Sequence, residues 1–215
     1  GDMPMRDLTE FADKTIKEKH QLLEALEKEK QRLGDLPAYA RAEGSDIQQF
    51  ANFDEEAQLL IEGGETAKIR PAQNSRWFAQ IATDVNAQIT EAEKRIGDRR
   101  GREFDSTITD LRILANLALY HSRRIPAAVS FRLFERTKDP KALEDAISYE
   151  RSAIDAWRQL VTAAGDFYTD DLLMGVRGAS LCGHWKDELS ALEKGLAALE
   201  RQRRDFKGSG ESKTA

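Results

Sequence analysis

Residues 105–134 constrain the fold more tightly than any other stretch of the chain. Wound as a helix, Ile108, Leu111, Leu114, Ala115, Ala118, Ser122 and Ile125 fall on one small or apolar face. Asp110, Ile113, Leu117, His121 and Arg124 fall on the opposite side, and only Thr109, Arg112, Asn116 and Arg123 are left for solvent. A helix that is apolar on two sides must be central, with other helices on both flanks. An Asp105/Ser106 cap starts it, and Pro126 lies inside it. Proline lacks an N–H and its ring pushes against the preceding turn, so a kink and a released carbonyl near Ser122 are expected.

The rest of the chain supplies the flanking helices. Apolar residues recur every three or four positions throughout, and two-residue alternation never persists, so no strand is expected. A first helix over 5–33 has a single apolar stripe (Leu8, Phe11, Ile16, Leu22, Leu26, Leu33) and is stopped by Gly34 and Pro37. A second, over about 46–62, turns Ile47, Phe50, Ala51, Leu60 and Ile61 inward, with Ile69 plugging the core from the connection that follows. A third follows an Asn74/Ser75 cap, carries Trp77, Phe78, Ile81, Val85 and Ile89, and ends near Gly97–Gly101. Asp139-Pro140 opens a fifth over 140–164, closed by Gly165. A loop over 165–183 then leads to a last helix over about 185–206. The fold class expected is all-α: an antiparallel bundle of five or six helices over 1–207, with a sub-boundary near 63–75 as the variant, and a flexible tail over 208–215. The helical segments do not align with one another residue by residue, which speaks against a repeat array.

Composition narrows the chemistry. The 33 Lys+Arg against 38 Asp+Glu leave a net charge of −5, a poor match to phosphate backbones, so no nucleic-acid partner is expected. The basic run Arg201–Arg204 reads as the positively charged end of a helix. The longest apolar runs, such as Ile125–Val129, are too short for a membrane span, and no charged-then-apolar leader opens the chain. A single cysteine excludes an internal disulfide. None of the three histidines lies three residues after a glutamate, which removes a di-iron carboxylate site, and Cys182-Gly183-His184 lacks a second ligand pair for zinc. Neither a nucleophile elbow nor a phosphate-binding glycine loop occurs. No metal and no cofactor is expected, and no catalytic residue can be assigned.

Two constellations remain. Asp110, His121 and Arg124 share a face that has to pack, so their charges need partners; a structural polar network joining the central helix to a neighbour is the reading favoured over a site. The loop set, Tyr168, Asp170, Asp171, His184 and Trp185, combines carboxylates with aromatic rings in one connection and is the candidate for substrate binding. Its plain alternative is a turn capped by Asp170 or Asp171, with Trp185 plugging the bundle end.

The run from Asp105 to Val129, the string Gly165–Gly175 (GDFYTDDLLMG) and the string Gly183–Leu189 (GHWKDEL) together resemble the C-terminal all-helical regions of large bacterial glycoside-hydrolase-like proteins. In such polysaccharide-degrading proteins a catalytic barrel precedes a helical tail. The likeness spans about residues 60–205. It implies an accessory domain that packs on, or shapes the cleft of, a catalytic domain, with the acid and base of glycosidic cleavage elsewhere. It also implies an exported protein, a carbohydrate near Tyr168 or Trp185, and Asp170 and Asp171 as the carboxylates to test. Two other readings stand beside it. One is a helical protein-interaction scaffold without a small-molecule site, using Leu22, Leu26 and Leu33 to bind a helical partner or to homodimerise. The other is an enzyme built on His121 or His184, which requires a pocket joining that histidine to a carboxylate.

Overall fold

The computed structural model describes residues 14–21, 35–44, 46–173 and 182–206. Helix α1 covers 14–21, and α2 is the single turn Leu36–Tyr39. They are followed by α3 (Phe53–Glu62), α4 (Pro71–Ile96) with a 3₁₀ turn at Gly97–Arg99, α5 (Arg102–Thr137), α6 (Pro140–Ala164) and α7 (Trp185–Asp205). The chain is an all-α bundle, and α5 is its axis: α2, α3, α4 and α6 all pack on it, while α7 packs on α6. Among the described residues no helix is long and apolar enough to cross a membrane.

Helix α5 runs unbroken for 36 residues with Pro126 inside it. The carbonyl that Pro126 cannot satisfy is that of Ser122, four residues earlier. The Ser75 hydroxyl, reaching across from α4, donates to it at 2.6 Å. A helix–helix contact thus repairs the defect that the proline makes. Its neighbours Ala127 and Ala128, like Ala146, Ala153 and Ala156 on α6, are fully buried, and these small side chains let α5 and α6 lie close along their length. Two apolar clusters result. One gathers Leu36, Phe131, Phe134, Leu143, Ile147 and Leu199. The other gathers Ile113, Tyr120, Ile154, Trp157, Leu160 and Leu192. Helix α6 contributes to both.

Several local expectations are corrected. Residues 46–50 are a turn, not the first turns of a helix, because the Asp46 carboxylate accepts from the backbone N–H of Gln48 and Gln49. Helix α3 starts later, where Asn52 and Glu55 form a reciprocal capping box. Ile47, Leu60 and Ile61 are exposed rather than inward. Ile69 is held by its backbone: its N–H donates to Gln49 at 2.8 Å and its carbonyl accepts from Ala51 at 3.0 Å. Helix α4 begins at Pro71, ahead of Asn74/Ser75, since proline suits the first helical position and the Gln73 side chain accepts from the Arg70 N–H. Arg70 also grips the buried Glu56 of α3 through two 2.8 Å bonds, tying the segment near 63–75 to the bundle. Helix α5 starts at Arg102, three residues before the Asp105/Ser106 cap; Pro37 sits in the first turn of α2, and the expected end of the first helix near Gly34 lies outside the described residues.

In α1, Ile16 is exposed, whereas the stripe pattern placed it on a packed face. Leu22, Leu26 and Leu33 of that stripe, and the tail 208–215, lie outside the described residues. A two-residue antiparallel pairing, Leu172–Leu173 with Cys182–Gly183, draws the ends of the loop together; it is too short for alternation to betray it. Asp139 and Pro140 open α6, and Gly165 closes it with a positive φ of 46°.

A buried ion pair beneath an aromatic cleft

The packed face of α5 brings Arg124 into the interior at 3% exposure. Its partner is Glu150 of α6, at 1% exposure, with Nη2 to Oε1 at 3.3 Å. A buried charge requires such a partner. The guanidinium also donates to the Tyr120 hydroxyl and lies over two rings, 4.6 Å from the centroid of Tyr39 and 5.4 Å from that of Tyr120. Burial pushes the Glu150 carboxyl above the usual carboxylate range, with Arg124 opposing. Burial also lifts the Tyr39 phenol to about 12. His121 is half-buried beside this cluster, with Nδ1 at 3.5 Å from the Tyr39 hydroxyl. Burial, and then the positive charge of Arg124, lower its pKa and favour the neutral ring.

Asp110 does not join this cluster. It lies eleven residues before His121, about 16 Å along the helix, and is exposed. It accepts instead from the Tyr168 hydroxyl, which raises the pKa of that phenol. The loop residues therefore meet α5 at its other end. There Tyr168 packs edge-on against Trp185, centroids 5.5 Å apart, and His184 against Trp185 at 5.4 Å. His184 is buried and works as the N-cap of α7: its Nδ1 accepts from the Lys186 N–H at 3.2 Å, and its own N–H donates to Asp187 at 2.9 Å. The backbone carbonyl of Trp185 accepts the Trp157 indole N–H at 2.8 Å. Asp170 is exposed and paired with Lys186, whose hydrogen bond lowers its pKa; Asp171 is exposed beside it. Tyr168, His184, Trp185 and Asp170 are thus gathered at the start of α7, each engaged by a neighbour. No group of His, Cys, Asp and Glu among the described residues is arranged to hold a metal ion.

A concavity with an apolar, largely aromatic wall lies elsewhere, above the ion pair. Five rings form an unbroken arc through Phe53, Tyr39, His121, Phe78 and Trp77, with successive centroids 5.4, 6.4, 5.7 and 5.3 Å apart. They come from α3, α2, α5 and α4. All but His121 line a cleft of about 370 Å³, together with Phe50, Pro71, Asn74, Ile125 and, as the one charged lining residue among those described, Glu43. Trp77 stands at its rim, 60% exposed. On the other flank of α4 a groove of about 620 Å³ follows the Pro126 region, lined by Leu60, Ile125, Val129, Leu133 and Tyr149.

Sequence reading missed Glu150, Tyr39 and the cleft. Glu150 had a signal: it falls between Ile147 and Ile154 on the inward stripe of α6, where a carboxylate needs a partner. No family model, no curated protein and no solved structure matches the chain.

Proposed function

We propose that the chain is a non-catalytic accessory helical domain of a carbohydrate-active, glycoside-hydrolase-like protein, packing on or shaping the cleft of a catalytic domain. The observation that carries this reading is the apolar surface left open around α3 and α4. Leu60 and Tyr149 are both exposed along the groove at Pro126, and Ile61 is exposed next to Leu60 on α3. Open apolar surface of this kind is what a face that packs against another protein leaves when uncovered. The loop strings that carry the resemblance support the same role. Three of their residues are engaged in structure: Tyr168 donates to Asp110 of α5, the His184 ring caps α7, and the Trp185 carbonyl accepts from Trp157 of α6.

The test is to mix the purified chain with the isolated barrel of a glycoside-hydrolase-like protein that carries the same strings, and to follow association by analytical ultracentrifugation. A one-to-one complex that is lost on Leu60→Asp, with no sugar released by the chain alone, is the expected result. Release of sugar by the chain alone, abolished in D170N or D171N, would overturn the non-catalytic role. Absence of a complex would overturn the accessory role. The second reading, a protein-interaction scaffold, has one observation in its favour, the exposed Ile16 amid the charged residues of α1. It predicts self-association, or capture of an amphipathic helix, with indifference to the barrel.

A further inference from the structure

The aromatic cleft supports an inference that does not depend on the accessory-domain reading. Rings from three helices, Tyr39, Phe53, Trp77 and Phe78, face one concavity together with Phe50. The cleft has little hydrogen-bonding capacity. Asn52 is already spent, accepting from the Glu55 N–H at 2.8 Å and donating to Glu43 at 3.0 Å, and the Tyr39 hydroxyl is 3.5 Å from His121 Nδ1, which leaves the Asn74 carboxamide and the Glu43 carboxylate as side-chain partners. A sugar or a peptide brings many hydroxyls or amides, and a wall of this kind would strip their water without replacing it. A quaternary ammonium group brings no such groups. It needs electron-rich rings and a nearby negative charge. The rings are present, and the single charged lining residue among those described is the carboxylate of Glu43. Arg124 lies over the Tyr39 ring and outside the cleft lining, and its positive charge is matched by Glu150.

We propose that this cleft binds a quaternary ammonium group of the trimethylammonium type, with Tyr39, Phe53, Trp77 and Phe78 as its cage and Glu43 as its counter-charge. Trp77 and Glu43 are both exposed, so substituting them leaves the core intact. The experiment titrates the whole chain with choline, with its uncharged isostere 3,3-dimethylbutan-1-ol, and with a neutral oligosaccharide, following the heat of binding by isothermal titration calorimetry. Choline is expected to give a saturable change that disappears in W77A and weakens about tenfold in E43Q, with the isostere binding at least about tenfold more weakly. Equal binding of choline and isostere would overturn the proposal, leaving a plain apolar pocket. So would a response to the oligosaccharide alone, or to none of the three. None of these outcomes bears on association with a barrel, so the two proposals fail separately.

Discussion

Arg124 and Glu150 show how one residue decides the fate of another. Removing either partner leaves a buried charge uncompensated, which costs about 3–5 kcal/mol, whereas replacing both by apolar groups of similar size is much less damaging. Arg124→Met and Glu150→Leu are each expected to lower the urea midpoint strongly, and the double variant to recover most of the loss at an unchanged denaturant slope. His121 adds a pH dependence. Its pKa in the fold lies below the ordinary 6.5, so the unfolded chain takes up a proton first as pH falls. The stability tied to the neutral ring is complete above 6.5 and is lost as pH drops through that value towards the lower folded pKa. Asp54 behaves in the usual acidic manner: hydrogen-bonded to Arg136, its carboxyl lies below 3.8, and its contribution is lost only in stronger acid. His121→Gln should therefore flatten the decline in midpoint that sets in below about pH 6.5 and leave the limb in stronger acid unchanged. The need for partners around Arg124 was legible in the sequence. Their identities were not, because Glu150 and Tyr39 are brought there by separate elements whose mutual rotation no local pattern encodes.

At the scale of an element, the proline in α5 links sequence to packing most directly. That Pro126 frees a carbonyl follows from covalent structure alone, and the sequence pointed to the vicinity of Ser122. That Ser75 answers it follows only from how α4 crosses α5. Ser75→Ala is expected to cost about 1 kcal/mol in the wild type, the net worth of a hydrogen bond whose acceptor is then left unmet. In a Pro126→Ala background the helix supplies its own N–H to the Ser122 carbonyl, and the same Ser75→Ala change should cost clearly less. A double-mutant cycle on chemical denaturation reads the difference; additivity of the two changes would disprove the coupling. Helix starts were read less well than helix identities. The apparent caps Asn74/Ser75 and Asp105/Ser106 lost to Pro71 and to Arg102, because capping residues are frequent enough to mark several places where a helix could begin. Helix α6 was located correctly because Asp139-Pro140 at one end and Gly165 at the other permit no alternative nearby.

At the scale of the molecule, α6 decides whether the bundle unfolds in one step. The cluster around Leu143 and the cluster around Leu160 lie at opposite ends of that helix and share its backbone. Neither can lose its α6 face without loosening the other, since α5 and α6 approach each other over buried alanines along their whole length. Leu143 and Leu160 are both fully buried, so truncation to alanine at either should cost about 2–5 kcal/mol. For a chain of this size that is a fall of roughly 5–15 °C in Tm. The informative feature is the shape of the transition. If the clusters are one cooperative unit, L143A and L160A each shift a single calorimetric peak whose calorimetric and van't Hoff enthalpies agree. A shoulder confined to one variant would divide the bundle into two units, with stability no longer a single quantity. Cooperativity through α6 also sets where a partner can act. A protein seated on the open surface of α3 and α4 bears on α5, which α3 and α4 both contact, and α5 bears on α6. A covering partner should therefore raise the Tm of the whole bundle rather than of a part.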